Sequence, residues 1–393
     1  MEIFESKIDE KGFLAYIGDE KVIGAVTLLY HQGHILHCKS YGRQDIERDI
    51  PMSIDSMFRI YSMTKPIVST AVMMLYEDEE LQLSDPVSKY IPFFSNFRVC
   101  KDGDAYHTEG SDWDLQEREI TILQLLTHTS GLTYNFLNIE PVALLSEGPD
   151  SLWHAPLEEF VKAIGTMPLA FQPGEKWQYS FATDVLALVI EKVSGVPIDQ
   201  FLLERILAPL GMHDTGYYVP EHKLGRFTAL YGYDSGSGKR ILIEDPTTCV
   251  AAGRHNELRG GHGLVSTAED YLTFCRFLLG KGELDGCRLL QTETVQMMTE
   301  NHLPASLLPI GADDTLDGYG FGLGFRVLMD PSRNKFNQGA GEFGWAGAAN
   351  TYFWIDPVND MIGISLLQYL PGGLFPFSDA FRTAAYALLA DGS

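Results

Sequence analysis

No Gly-x-Ser-x-Gly occurs anywhere in this chain, so the nucleophile elbow of the α/β-hydrolases is missing. A Walker loop is absent, no Rossmann glycine fingerprint stands at a strand–helix turn, and His-Glu-x-x-His is missing too. No two cysteines stand at Cys-x-x-Cys spacing. The five present (Cys38, Cys100, Cys249, Cys275, Cys287) are scattered and odd in number, which reads as reduced thiols rather than a disulfide frame or a zinc site. Basic residues are scarce, 29 Lys and Arg against 53 Asp and Glu for a net charge of −24. With no Lys/Arg cluster, a nucleic-acid partner is excluded, because phosphate binding needs a basic face. No apolar stretch approaches a membrane span, and the first ten residues carry no basic region followed by an apolar run. If Met1 is the native start, the expectation is a cytoplasmic protein without membrane contact.

What is present suits a globular enzyme. The 393 residues, 45% apolar, suffice for one large or two moderate domains. Val22 to Tyr30 and Ile35 to Cys38 read as a β-hairpin turning at Gln32-Gly33. His31, His34 and His37 recur along it, but alternation along a strand keeps them from converging on a metal, so they read as hairpin surface. Ile67, Val68, Ala71, Val72 and Leu75 mark one face of a helix from Ser62 to about Glu80. Asn96 to Glu119 is polar and reads as an exposed loop, and it and Thr133 to His154 are expected to border the pocket. Further helices are expected at 120–126, 157–167, 184–194, 198–207 and, capped by Thr267, through about Leu279. Tyr319 to Leu328, Gly347 to Trp354 and Met361 to Leu367 read as strands, and Asp379 to Leu389 as a closing helix. Strands at both ends and helices between them predict an α/β fold. Its antiparallel sheet is built from both termini (residues 1–60 and 256–393), with a mainly helical domain inserted (61–255) and the site at the junction.

Chemistry concentrates at Ser62-Met63-Thr64-Lys65. Residues three apart on a helix share a face, so the Lys65 amine can reach the Ser62 hydroxyl, and a hydroxyl needs such a base to become a nucleophile. The motif alone is weak, with roughly one chance match per chain of this size. A second copy, Ser332-Arg333-Asn334-Lys335, follows Asp330-Pro331 and reads as a surface turn. Ser62 instead opens a helix, where its N–H and the helix N-terminus favour a bound oxyanion.

Around that motif, Leu125-Leu126-Thr127-His128-Thr129-Ser130-Gly131-Leu132, Pro173-Gly174 with Tyr179-Ser180, Pro209-Leu210-Gly211-Met212, Gly263-Leu264-Val265-Ser266-Thr267 and Trp345-Ala346-Gly347 follow in order. Together they resemble the serine β-lactamase/penicillin-binding-protein superfamily on its class C side. The closest match is to the family VIII carboxylesterases, and the fungal acyltransferases of statin biosynthesis are related. The resemblance covers nearly the whole chain. It implies an acyl-enzyme mechanism with Ser62 as nucleophile and Lys65 and Tyr179 as the proton-handling pair; which of the two is the base stays open. It also implies an oxyanion hole of the Ser62 and Ala348 N–H groups, Ala348 lying on the strand after Gly347. Substrate contacts are expected from Trp345, Gly347, Phe181 and Tyr134, although Tyr134-Asn135 is a decoy for the catalytic tyrosine. No cofactor or metal is implied.

Two departures narrow the substrate. The Tyr-x-Asn of β-lactamases is Tyr179-Ser180-Phe181 here, and their Lys-Thr-Gly is Trp345-Ala346-Gly347. A site that loses a side-chain amide and a cation favours a neutral small-molecule ester over a charged lactam. The expected enzyme is a serine carboxylesterase for short- to medium-chain acyl esters, with acyl transfer and weak β-lactam hydrolysis as side activities. The alternatives are a β-lactamase or D-amino-acid peptidase and, from another class, a non-catalytic binding or assembly protein. His128 reads as a core histidine, and Gly260-Gly261-His262-Gly263 as backbone passing close to the site.

Overall fold

Alternation along the first long strand sends Val26, Leu28 and Tyr30 to one face and Ala25 and Leu29 to the other, and both sets are buried. A sheet so filled must be covered on both sides. It consists of β1 (Gly24–His31), β2 (His34–Asp45), β3 (Ile50–Pro51), β4 (Tyr319–Phe321), β5 (Arg326–Leu328), β6 (Phe343–Gly347), β7 (Thr351–Asp356) and β8 (Met361–Leu367). Their spatial order is β4-β5-β6-β7-β8-β1-β2-β3, with every neighbouring pair antiparallel. The two chain ends meet where β1 pairs with β8, from Ala25↔Leu367 to His31↔Met361. This computed structural model describes residues 8–18, 21–101, 113–134, 152–311, 316–334, 336 and 339–390.

The four helices that matter most here are α1 (Thr64–Glu77), α2 (Ala182–Ser194), α3 (Ala268–Leu279) and α4 (Phe377–Ala390). On one face of the sheet, α4 packs Phe377, Phe381, Ala385 and Tyr386 against Ala25, Leu29, Trp354 and Leu367. Burying each such phenylalanine contributes about 2 kcal/mol. The other face carries α3 and the larger core, which continues through α1 and α2 into the helical middle of the chain. The expected architecture, a terminal antiparallel sheet with helices inserted, is the observed one.

Several local expectations are corrected. α1 is buried on every side, from Thr64 through Leu75, rather than along one stripe; it runs through the core between sheet and helices. Of the hairpin histidines only His31 and His34 lie toward solvent. His37 is fully buried, its Nε2 2.7 Å from the Thr27 hydroxyl and its ring against Phe381 of α4. The hairpin itself turns where expected, with Gln32 and Gly33 both at positive φ, as a tight turn between twisted strands requires. The polar stretch from Asn96 contains a strand pair, Arg98–Cys100 with Trp113–Leu115, and residues 102–112 lie outside the described residues. Tyr319–Leu328 is two strands with a bend between them. Gly347–Trp354 is also broken: β6 ends at Gly347, residues 348–350 turn with Asn350 at φ 63°, and β7 begins at Thr351. Ala348 therefore sits in a turn and not on a strand.

Candidate active site

The path to Ser62 begins with Phe58–Arg59, a short strand paired with Val265–Ser266. The chain then bends sharply. Tyr61 takes φ 44°, a left-handed conformation that a bulky residue adopts only when its surroundings hold it there. Those surroundings are identifiable: the Ile60 N–H donates to the Leu264 carbonyl at 3.0 Å, and the Ile60 carbonyl accepts from the Thr351 hydroxyl at 3.1 Å. A single turn of 3-10 helix (Tyr61–Met63) carries Ser62 and runs directly into α1. Ser62 stays partly exposed while Lys65, in the first turn of α1, is buried.

Lys65 Nζ lies 3.1 Å from Ser62 Oγ and donates to the Gly261 carbonyl at 2.6 Å. The same ammonium is 4.7 Å from the centre of the Tyr179 ring and 5.2 Å from that of Tyr134. On the far side of Tyr179, the Trp345 indole N–H donates to the tyrosine hydroxyl at 3.1 Å. Trp345 itself is only 8% exposed, wedged between Tyr179 and Phe321. Serine, lysine, tyrosine and tryptophan thus form one connected set. A cation beside a phenol favours its phenolate, and an N–H donor at the phenol oxygen acts in the same direction. The arrangement can accept a proton from Ser62 and return it to a leaving group.

Strand β6 lies against this corner through Gly347. A Cβ there would sit 2.4 Å from the Ile60 carbonyl and 2.1 Å from the Thr351 hydroxyl, so only glycine allows the strand so close. His128 packs on Tyr179 with its Nδ1 3.2 Å from the Ser180 hydroxyl. Burial, and then the Lys65 charge, hold its imidazole well below the ordinary histidine range, so it is a neutral buttress behind the tyrosine.

The Beta-lactamase family model matches residues 7–388. The chain belongs to that family. Esterase EstB of Burkholderia gladioli is 30% identical over 400 residues, covering 94% of this chain and 92% of the esterase. Protein Rv1367c of Mycobacterium tuberculosis is 36% identical over 362 residues, 88% of this chain and 86% of that protein. Among solved structures, EstCE1, described as a hydrolase with promiscuous acyltransferase activity, superposes with a TM-score of 0.75 at 26% identity, over 96% of this chain and 97% of its own.

Within this Beta-lactamase family chain, Ser62, Lys65, Tyr179, Trp345 and Gly347 come together. Phe181 does not join them. Its ring is 1% exposed and faces the core between Tyr134 and Phe160, because it caps α2 and the helix turns it inward. Tyr134 lies beneath Tyr179, ring centres 5.2 Å apart, and burial pushes its phenol well above the usual range. Ser332 of the duplicate motif bonds its neighbour Asp330 through both N–H (3.1 Å) and hydroxyl (2.6 Å), while Lys335 lies outside the described residues. Most of 133–154, expected to border the pocket, lies outside them too.

The sequence reading missed three features. The Gly261 carbonyl is the lysine's acceptor, the Trp345 N–H is a donor rather than its ring merely an apolar wall, and Asp184 stands behind Gly261. Asp184 left a trace: it is the one charged residue in the stretch of α2 that is buried, Ala182 to Ile190.

Proposed function

We propose that this protein is a serine carboxylesterase acting on short- to medium-chain acyl esters through an acyl-Ser62 intermediate. The observation that carries the reading is the bond from Trp345 Nε1 to the Tyr179 hydroxyl. It puts an apolar indole, already committed to the tyrosine, where a lactam-binding member would offer a cation to its substrate's carboxylate. The hydrolase and acyl-transfer relatives support ester or acyl-transfer chemistry in general, and among them EstB is named an esterase.

Ser62 Oγ attacks the ester carbonyl as its proton passes to the Lys65–Tyr179 pair. The tetrahedral oxyanion is held by the Ser62 and Ala348 N–H groups. The bond between the carbonyl carbon and the alcohol oxygen breaks, the departing alkoxide takes the proton from the Lys65–Tyr179 pair, and acyl-Ser62 remains. Water, or a second alcohol, then attacks the acyl carbonyl by the same steps and frees the serine. Gly347 keeps the Ala348 turn against Tyr61.

The test compares wild type with Ser62→Ala on p-nitrophenyl butyrate and on a chromogenic cephalosporin. Ester turnover by wild type, lost in the variant, is the expected result. No ester turnover by wild type, faster cephalosporin turnover, or activity surviving in Ser62→Ala would each overturn the reading.

A further inference from the structure

Directly behind Lys65 stands a carboxylate for which the acyl-transfer steps have no use. Asp184, in the first turn of α2, is fully buried. Its Oδ1 accepts the Gly261 N–H at 2.9 Å, and the carbonyl of that same glycine accepts Lys65 Nζ at 2.6 Å. Gly261 is thus held between an anion at its N–H and a cation at its C=O. The fit is tight, since a Cβ on Gly261 would lie 2.5 Å from Asp184 Oδ2 and 2.9 Å from the Tyr134 hydroxyl.

Asp184 Oδ2 has no hydrogen-bond partner among the described residues. A buried carboxylate oxygen without one is costly, and a side chain needed only for packing would not be an acid. Burial raises the carboxyl above its ordinary range, and nearby charge and donors offset part of that cost. The N-terminus of α2 favours an anion, the Gly260 and Gly261 N–H groups point at it, and Lys65 and Arg259 supply positive charge nearby. Facing it too are the phenols of Tyr134 and Tyr217, both of which feel its charge.

We propose that Asp184 is a positioning residue for the Ser62–Lys65–Tyr179 set: through Gly261 it fixes where the lysine amine sits, and its negative charge tunes when that set gives up its proton. The proposal rests on the acyl-Ser62 reading above. Its sign does not depend on which group is the base. A nearby anion favours a protonated lysine and disfavours a phenolate, so its removal makes either group easier to deprotonate.

The experiment follows the rate at which a fluorophosphonate probe labels Ser62, across pH, by mass spectrometry of the Ser62 peptide. Asp184→Asn keeps an oxygen acceptor for the Gly261 N–H, removes the charge and puts an amide NH2 in place of Oδ2. Its acidic limb is expected to move to lower pH by about one unit. A purely structural role would leave that limb where it is. Gly261→Ala replaces no side chain of the set, but its methyl meets Asp184 and the Tyr134 hydroxyl and so pushes the carbonyl away from Lys65; labelling is expected to slow about a hundredfold. Circular dichroism checks folding, and if Asp184→Asn does not fold, Gly261→Ala carries the test. An unshifted or upward-shifted limb in Asp184→Asn, or wild-type labelling in Gly261→Ala, overturns the proposal. Failure of the wild type to label at Ser62 overturns the acyl-serine reading instead, so the two failures are distinguishable.

Discussion

The Trp345 indole N–H donates to the Tyr179 hydroxyl at 3.1 Å, across 166 residues of chain. The donor favours negative charge on that oxygen. Trp345→Phe keeps an aromatic ring on β6 and removes only the donor. It is expected to lower kcat/KM for p-nitrophenyl butyrate about tenfold. The acidic limb of the pH–rate profile should move to higher pH, opposite to the shift expected for Asp184→Asn. An unchanged rate and profile would show that the bond has no catalytic part.

Gly347 tests how finely β6 must be placed. In Gly347→Ala the new methyl meets the Ile60 carbonyl and the Thr351 hydroxyl, both too close to accommodate it. The strand must retreat from Ser62, and a shift of about 1 Å at a catalytic centre costs about a hundredfold in rate. Ester turnover should collapse by that order while the far-UV spectrum stays native. Wild-type turnover in this variant would count against an oxyanion donor on the Ala348 turn.

His37 gives the fold an acid sensitivity. Burial lowers its imidazole from 6.5 to about 4 in the folded chain, so between those values the unfolded chain binds the proton and the folded one does not. The contribution is therefore complete above pH 6.5 and is lost as pH falls toward about 4, on the order of 3 kcal/mol in all. His262, held at about 3 by burial and then by Arg259 and Lys65, acts with the same sign. Urea denaturation of His37→Gln and wild type, at about pH 7 and about pH 4, should show the smaller acid loss in the variant. Equal losses would remove His37 as a cause.

Glu342 is a structural counterion. It is fully buried beside Arg382, with Arg326 3.7 Å away, and the Tyr352 hydroxyl accepts from Arg382 Nη1 at 2.8 Å. Glu342→Gln leaves two buried guanidinium charges without their anion and should cost about 3–5 kcal/mol of stability. The cluster involves none of the residues around Ser62. Turnover per folded molecule is therefore expected to be unchanged, with only the denaturation midpoint falling. A midpoint equal to wild type would mean that the arginines are neutralised elsewhere.

Local relationships were legible in the sequence; partner choices across the fold were not. Ser62 and Lys65 are three residues apart, so helical geometry alone brings them together, and the resemblance supplied Tyr179 by its order in the chain. Gly261 meets Lys65 across 196 residues and Asp184 across 77, and no periodicity encodes such a meeting. Trp345 was legible as an aromatic on a strand, but its N–H direction follows from the register Trp345↔Phe353 in the folded sheet. The break after Gly347 hid in an unremarkable Ala-Ala-Asn run. Asn350 was its only sign, asparagine being one of the few residues that take a left-handed turn readily. The all-round burial of α1 was not legible because a polar side chain such as Thr70 can be buried at small cost when its hydroxyl bonds its own helix, here the Pro66 carbonyl at 2.9 Å.

That α1 is enclosed on all sides also bears on how the protein would lose activity. Regions rich in buried contacts exchange their amide hydrogens only when the whole domain opens, whereas loops and chain ends exchange through local fraying. Ser62 and Lys65 are anchored at the start of such a helix, so loosening the periphery leaves them in register. Heat or denaturant should abolish turnover at the global transition, in step with release of the slowest-exchanging amides between Ile67 and Leu75.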